Sequence, residues 1–338
     1  MSDIFAIVSG NHIKILKNAK RVRTLRTLVG HTKLVSSITF SFDFKLLASG
    51  SYDNTIKLWK TSNGMLIRTL NGQHTDFIRS VAFSVNGQWL ASGSDDKTIK
   101  IWKVLDGTLI QTMEGHTQSV WAVAFGVNDT LVASISDDCT LKLWNIDGTI
   151  IKTIDNACSR SLAFNCDRKL LAYESDGIKI LNVPDGTQKY YLKGSLSDVN
   201  IQSIYFSLDS KFLIAGTSIG TIYIWNILDE TLVVMINNQT EIDRLLTLTF
   251  SLNNEYVIAG FKYKKNKIYN IFNKELQLHY ISSDTPSWCI AAPSCLGIMN
   301  ATLQRKKTLV NGFFCGGNSS LFCLHFSLES FDECLNLL

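Results

Sequence analysis

The sequence has few residues that interrupt or divide a fold. Only three of its 338 residues are prolines, and charged residues make up 18% of the chain. No proline-rich or low-complexity tract separates two halves, so we expect a single domain over residues 1–338. No apolar run approaches the roughly 18 residues that a membrane-spanning helix needs. The first residues, MSDIFAIVSGNHIK, do not resemble a signal peptide.

Cysteines are present, but no two of them form a CxxC pair. Cys158 and Cys166 are eight residues apart, and Cys289 and Cys295 are six residues apart. These spacings do not match the usual pairs of zinc ligands, so we expect neither a metal nor a cofactor. Scattered cysteines in a chain without an export signal are typical of reduced thiols, which predicts a cytoplasmic protein.

Common catalytic motifs are also absent. HExxH, GxxxxGK[ST] and GxSxG do not occur, which removes the usual signatures of zinc peptidases, phosphate-binding loops and serine hydrolases. The aspartate pairs at 95–96 and 137–138 lie in predicted hairpin turns, where one carboxylate would be structural and the other exposed. We therefore expect no catalytic residue and no enzyme. The net charge of +4 does not by itself indicate nucleic acid.

A twelve-residue segment occurs three times in the chain. SGSYDNTIKLWK at 49–60 is followed by SGSDDKTIKIWK at 92–103 and SISDDCTLKLWN at 134–145. Around each copy, four short runs alternate between apolar and polar residues and are separated by turn-forming residues. Four such runs in about 42 residues predict one four-stranded antiparallel blade of a β-propeller.

The repeat can be followed beyond these three copies. The tryptophan position of the third strand recurs at Leu16, Trp59, Trp102, Trp144, Leu181, Trp225, Tyr269 and near Asn311. These eight marks predict an all-β, closed propeller of eight blades. Three N-terminal strands and a C-terminal strand near Leu335 would then form the first blade. The alternative is seven blades, with residues 1–18 as an appendage.

The chain resembles WD40-repeat proteins, most clearly between residues 25 and 149. Gly30-His31, His74 and Gly115-His116 stand before the first strand of three successive repeats. The resemblance implies a hydrogen-bonded set of His, Ser, Asp and Trp inside each of these blades. Its members would be His31, Ser49, Asp53 and Trp59; His74, Ser92, Asp96 and Trp102; and His116, Ser134, Asp138 and Trp144.

The resemblance also implies a face of the propeller on which partners bind. Its residues would come from the start of each first strand and from the position before each hairpin aspartate. They are Tyr52, Phe77, Arg79, Asp95, Trp121, Asp137, Arg160, Gln202, Arg244 and Trp288. Trp, Tyr and Arg are enriched in binding hot spots, so we expect a protein or peptide partner, with the chain acting as a scaffold or complex subunit. On this interpretation, Arg79→Glu with Trp121→Ala would abolish binding and barely change stability.

Two alternatives remain open at this point. Basic residues are concentrated in two predicted hairpins, Lys262, Lys264, Lys265 and Lys267 in the first, and Arg305, Lys306 and Lys307 in the second. The segments 262–267 and 305–307 would suit an anionic partner or a nucleic acid. A propeller that senses a small ligand is the other alternative.

Overall fold

Alternating apolar residues form the strands of this protein. The computed structural model describes residues 4–17, 23–192, 201–207, 209–236, 245–250, 256–261, 267–270 and 290–291. In Val35–Phe40, for example, Val35, Ile38 and Phe40 are buried and the residues between them are partly exposed. This pattern is that of a strand with packed neighbours on its inner face. All the sheets described below are antiparallel.

The repeats with the clearest sequence signal fold as three four-stranded sheets, numbered here in chain order. Sheet 2 contains β4 (Val35–Phe40), β5 (Leu46–Ser51), β6 (Ile56–Lys60) and β7 (Leu66–Leu70). Sheet 3 contains β8 (Ile78–Phe83), β9 (Trp89–Ser94), β10 (Ile99–Lys103) and β11 (Leu109–Met113). Sheet 4 contains β12 (Val120–Phe125), β13 (Leu131–Ser136), β14 (Thr140–Asn145) and β15 (Ile150–Asp155). A 3-10 turn, Val127–Asp129, lies between β12 and β13.

The repeats with a weaker signal continue the same architecture. Sheet 5 contains β16 (Leu162–Phe164), β17 (Leu170–Glu174), β18 (Ile178–Asn182) and β19 (Gln188–Leu192). Sheet 6 contains β20 (Ile201–Phe206), β21 (Phe212–Thr217), β22 (Ile222–Asn226) and β23 (Thr231–Ile236). The described part of sheet 7 contains β24 (Leu245–Phe250), β25 (Tyr256–Phe261) and β26 (Lys267–Asn270). The third-strand marks Leu181, Trp225 and Tyr269 thus lie on β18, β22 and β26.

Sheet 1 is built from both an early and a late part of the sequence. It contains β1 (Ile4–Ser9), β2 (His12–Lys17), β3 (Arg23–Val29) and β27 (Ile290–Ala291). Ala6 pairs with Ala291 and Ile7 with Ile290. The edge of β1 is therefore occupied by residues 290–291, and not by the predicted strand near Leu335.

The structure also corrects one part of the seven-blade alternative, because residues 4–17 contain two strands of a sheet and are not an appendage. Asn311 and Leu335, on which the eighth blade depended, lie outside the described residues. Seven sheets have described strands, six of them with four strands. The number of blades stays a prediction.

Apolar side chains fill the spaces between successive sheets. One buried cluster joins Leu58 of sheet 2 to Ile78 and Val81 of sheet 3. A second joins Ile101 of sheet 3 to Val120 of sheet 4. The first strands β4, β8, β12 and β16 lie side by side in that order. Their starting ends, and the hairpins between second and third strands, are consequently brought to one end of the sheets, which we call the top face.

Candidate functional site

Three hydrogen-bonded networks hold the top face of sheets 2, 3 and 4. In sheet 3, His74 Nδ1 is 2.6 Å from Asp96 Oδ2, and His74 Nε2 is 2.8 Å from Ser92 Oγ. Trp102 donates its Nε1–H to the same serine oxygen at 2.8 Å. All four residues predicted for this buried network therefore have hydrogen-bond partners in it, as a stable buried network requires.

The other two networks have the same geometry. In sheet 2, His31 is 2.9 Å from Asp53 and 2.8 Å from Ser49. In sheet 4, His116 is 2.8 Å from Asp138 and 2.7 Å from Ser134. The indoles of Trp59 and Trp144 donate to these serines at 2.8 Å. The imidazoles are accordingly structural groups.

A threonine that sequence reasoning missed completes each network. Thr140 donates to Asp138 Oδ1 at 2.7 Å, and Thr55 and Thr98 do the same in sheets 2 and 3. Burial alone would raise the pKa of Asp138, but hydrogen bonds from Thr140, Thr117 and His116 lower it to about 2. Burial lowers the pKa of the His116 imidazole, against the opposing effect of Asp138. The threonine that stands two residues after each hairpin aspartate, in Asp-Asn-Thr, Asp-Lys-Thr and Asp-Cys-Thr, was the available signal.

The residues predicted for partner binding meet at Arg79. Its Nε donates to Asp95 Oδ1 at 2.8 Å and its Nη2 to Asp95 Oδ2 at 2.5 Å, a bidentate pair. Its Nη1 donates to the Tyr52 hydroxyl. Burial would lower the pKa of Arg79, but Asp95 and Tyr52 raise it. Tyr52 and Phe77 stack with ring centroids 4.5 Å apart, so sheets 2 and 3 share one cluster.

Trp121 extends this cluster across sheets 4 and 5. The guanidinium carbons of Arg79 and Arg160 lie 4.4 and 4.2 Å from the centroid of its ring, close enough for cation–π attraction. Arg160 Nε is 3.9 Å from Asp137 Oδ1. Tyr52, Phe77, Arg79, Asp95, Trp121, Asp137 and Arg160 together form what we call the top-face cluster.

The backbone explains why residues distant in sequence meet here. The amide of the residue before each hairpin aspartate donates to the loop that precedes the first strand. Tyr52 N–H donates to Leu34, Asp95 N–H to Phe77 and Asp137 N–H to Ser119, at 2.9–3.0 Å. These bonds place the variable hairpin residue beside the start of the first strand in each sheet. Lys33, which sequence reasoning missed, lies 5.5 Å from the Phe77 ring centroid.

Cysteine pairing differs from the prediction of reduced thiols. Cys139 and Cys158 form a disulfide, with their Cα atoms 4.1 Å apart. Cys139 lies in the hairpin turn after β13, and Cys158 lies in the loop before β16. Ala157 N–H also donates to Cys139 O at 2.9 Å. The hairpin of sheet 4 and the loop of sheet 5 meet at this point, which sequence spacing alone could not show. Cys166 is not part of this disulfide, and Cys289 and Cys295 lie outside the described residues.

Not all predicted site residues are joined to the cluster. Gln202 lies on β20 and is half-buried, while Arg244 and Trp288 lie outside the described residues. Lys262, Lys264, Lys265 and residues 305–307 also lie outside them. Lys267 begins β26.

Chemically, the described part of the top face is suited to recognition. Its charged groups are paired or stacked, and within the described ranges no three His, Cys, Asp or Glu side chains are grouped to hold a metal. Nor does any helix in these ranges have the length and apolar character needed to cross a membrane.

Comparison with known families agrees with the repeat. The model "WD domain, G-beta repeat" matches residues 22–60, 64–103 and 107–145. Each matched segment runs from the outer strand of one sheet through the first three strands of the next. The sequence repeat is therefore offset by one strand from the structural sheet. Each repeat thus contributes strands to two neighbouring sheets.

Similar proteins match only short segments. Protein Mut11 of Chlamydomonas reinhardtii is 47% identical over 47 residues, 14% of this chain and 13% of that protein. The COMPASS component SWD3 of Saccharomyces cerevisiae is 45% identical over 47 residues, 14% of this chain and 15% of its own. The human WD repeat domain phosphoinositide-interacting protein 1 is 31% identical over 90 residues, 24% and 20% of the two chains. The chain thus covers no more than a fifth of these relatives. Three consecutive repeats of this chain, between residues 22 and 145, thus match the WD40 repeat family, and one relative that matches a short segment is named for WD repeats.

Proposed function

We propose that this protein is a non-enzymatic interaction module that binds a protein or peptide segment on the top-face cluster. The observation that carries the proposal is the continuous series Tyr52, Phe77, Arg79, Trp121 and Arg160, contributed by four consecutive sheets. Arg and large aromatic side chains supply most of the energy at protein interfaces. Here they are fixed by stacking and by a bidentate ion pair, so little side-chain entropy is lost on binding.

The arrangement of first strands supports a rigid platform for such binding. Beyond β16 the order continues through β20 and β24; β24 contacts β27, and β27 contacts β4. We propose that the sheets close into a ring through the pairing of β27 with β1, with seven sheets and not eight. In a closed ring each sheet packs between two neighbours and leaves only short, protected edges, and a partner meets several contact points at once.

The names of the relatives agree with this class of function but do not identify a partner. One is a component of a complex and another is named for interaction with phosphoinositides. The aligned segments are too short to transfer either partner. A cytoplasmic location and membership of a larger complex are likewise proposals. An anionic partner bound through segments 262–267 and 305–307 stays a hypothesis, because most of these residues lie outside the described part of the chain.

Capture of partners from a native extract, with identification by mass spectrometry, tests the proposal. The cluster variant carries Phe77→Ala and Trp121→Ala. Its matched control carries Met65→Ala and Leu105→Ala, which remove two exposed apolar side chains, 56% and 80% exposed, from turns outside the cluster. Circular dichroism and thermal melting of all three proteins check that they are folded.

We expect the wild type and the control to capture the same specific proteins and the cluster variant to lose them. A photocrosslinking residue at position 77, but not one at position 105, should then join covalently to that partner. Equal capture by all three proteins, or no specific capture by any folded protein, would contradict a binding function of this face.

A further inference from the structure

Arg160 is held on the top face by the flat side of its guanidinium. The guanidinium carbon lies 4.2 Å from the centroid of the Trp121 ring. Its one ion pair is the 3.9 Å approach of Nε to Asp137, which is beyond hydrogen-bond distance. Across the part of the chain that the structure describes, its terminal nitrogens make no hydrogen bond. The Arg160 and Asp137 side chains are 45% and 43% exposed.

Arg79, on the same indole, is the opposite case. Its edge nitrogens are used by Asp95 and by the Tyr52 hydroxyl. Its side chain is 17% exposed and that of Asp95 is 12% exposed. Two guanidiniums therefore contact one ring, one with its donors used and one with its donors free. A guanidinium fixed by its π face keeps its fork of N–H donors available for a planar, bidentate partner.

A second donor at the same place has no acceptor. The Nε1 atom of Trp121 is buried and has no hydrogen-bond partner among the described residues. A buried donor without an acceptor is costly, but because this atom is buried, an oxygen atom of a ligand reaches it only after neighbouring side chains move. The guanidinium of Arg160, whose side chain is 45% exposed, is therefore the accessible donor group, and it favours a ligand that accepts.

The backbone around Arg160 is fixed on both sides of this gap. Asp137 lies two residues before Cys139 and Arg160 two residues after Cys158, and these cysteines form a disulfide. The two segments that carry the acid and the base are covalently joined. The backbone positions of Asp137 and Arg160 are consequently fixed by the fold, and a loop does not need to be ordered when a ligand binds.

We propose that Arg160 and Trp121 form a subsite for an oxyanion, a carboxylate or phosphate group, carried by a peptide segment of the partner. This inference rests on the proposed function, because it names the chemistry that the top face selects. Asp137 acts as an internal competitor that partly neutralises Arg160 when no partner is present. The incoming oxyanion accepts from the guanidinium edge and displaces Asp137, whose exposed side chain is free to turn into solvent.

The competitor role of Asp137 gives the proposal its sharpest test. Removing its charge by Asp137→Asn should strengthen binding of an anionic ligand, whereas it would weaken binding of a cationic one. Arg160→Gln should do the reverse. Arg160→Lys keeps the charge but loses the fork, so it separates bidentate recognition from simple attraction.

The probes are four pools of fluorescein-labelled ten-residue peptides with a shared random background of Ala, Gly, Ser, Thr and Leu. The central residue is Glu, phosphoserine, Gln or Lys. Binding to the full chain is measured by fluorescence anisotropy without reductant, at two salt concentrations. Lys97→Gln is the matched control, because it removes one exposed positive charge from the sheet 3 hairpin, away from the Arg160–Trp121 stack.

We expect the Glu or phosphoserine pool to bind roughly tenfold more tightly than the Gln pool, with the difference shrinking at high salt. Whichever of the two binds more tightly identifies the source of the oxyanion. Arg160→Gln should abolish the preference, Asp137→Asn should increase it about threefold, and Lys97→Gln should leave it nearly unchanged.

A preference for the Lys pool, equal binding of all pools, or a preference that survives Arg160→Gln would overturn the oxyanion subsite. If all pools bind equally and are lost with Phe77→Ala and Trp121→Ala, the subsite is wrong while the binding function of the face stands. If no pool binds and the cluster variant captures the same proteins as the wild type from extract, both are wrong.

Discussion

Ala215 stands beside Trp225 in sheet 6 at the position where sheets 2, 3 and 4 place a serine beside their tryptophan. Trp225 pairs with Leu213 and Trp59 pairs with Leu47, so Ala215 and Ser49 are each two residues beyond the paired position. Trp225 is fully buried. Its Nε1 has no hydrogen-bond partner among the described residues. Sheet 6 has therefore kept the indole of the network and lost the acceptor for it.

Restoring the acceptor should stabilise the protein. We expect Ala215→Ser to raise the free energy of unfolding by about 1 kcal/mol, the usual net value of one hydrogen bond. The Cβ is already present, so the serine adds one oxygen atom near a donor that lacks a partner. Urea denaturation followed by tryptophan fluorescence measures the change.

Ser92→Ala is the matched reverse substitution. It leaves both the Trp102 indole and His74 Nε2 without the oxygen that they share at 2.8 Å. We expect a loss of roughly 2–3 kcal/mol, because two buried groups lose their partner. If Ala215→Ser destabilised the protein as much as Ser92→Ala, the indole of Trp225 would need no acceptor and the comparison of the two sheets would be invalid.

Arg79 is a structural residue as well as a surface residue, contrary to the expectation that Arg79→Glu with Trp121→Ala would barely affect stability. The substitution would place a second carboxylate against Asp95, which is 12% exposed, and would remove the donor to Tyr52. We expect a loss of about 2 kcal/mol in the free energy of unfolding. Lys97→Glu, the same charge change at an exposed position, should cost well under 1 kcal/mol. Equal effects of the two substitutions in urea titrations would show that the ion pair contributes nothing.

Sequence reasoning located most of the top-face cluster because its residues occupy fixed positions in a regular repeat. Tyr52, Asp95 and Asp137 each precede the hairpin aspartate, and Arg79, Trp121 and Arg160 are each near the start of a first strand. A period of about 42 residues is enough to place them at one end of the sheets. It could not distinguish the buried, bidentate Arg79 from the exposed, weakly paired Arg160, because that difference depends on side-chain packing.

Features formed between sheets were not predictable in the same way. The disulfide joins Cys139 and Cys158, which belong to different structural sheets, and no cysteine spacing indicated it. The pairing of residues 290–291 with β1 was also missed. The repeat predicted a closing strand near Leu335 instead, because strand spacing gives the position of a strand and not its partner.

The disulfide should contribute measurably to stability. It closes a loop with a sequence separation of 19 residues, for which chain-entropy arguments give about 3 kcal/mol. We expect Cys139→Ser with Cys158→Ser to lower the melting temperature by several degrees, and a strong reductant to do the same to the wild type. Cys166→Ser is the control, since Cys166 is not part of this disulfide. If reductant lowered the melting temperature of the double variant as much as that of the wild type, the effect would not come from this disulfide.

Glu174 should make the stability of the protein depend on pH in the opposite sense from the hairpin aspartates, because its pKa is raised and theirs are lowered. It pairs with Ile178 as Gly50 pairs with Ile56 and Gly216 with Ile222, so a carboxyl occupies a position where other sheets have glycine. Gly50 and Gly216 are packed tightly against the next sheet, through Ile78 and Leu248 among others. Burial raises the pKa of Glu174 from 4.5 to about 7, although the Ile201 amide donates to it at 3.0 Å and opposes the shift.

Between pH 4.5 and about 7, Glu174 is therefore protonated in the folded protein and ionised in the unfolded chain. The contribution of Glu174 to the free energy of unfolding is complete below the unfolded-state pKa of 4.5. It is lost as the pH rises through the folded-state pKa of about 7. The glutamine of Glu174→Gln cannot ionise. We therefore expect this variant to have the same free energy of unfolding as the wild type at pH 4.5, and a value higher by roughly 2 kcal/mol at pH 8. Urea titrations at a series of pH values measure this difference, with Glu114→Gln, an exposed glutamate, as the control. A stability difference between Glu174→Gln and wild type that stayed constant from pH 4.5 to pH 8 would show that the carboxyl titrates normally in the folded protein.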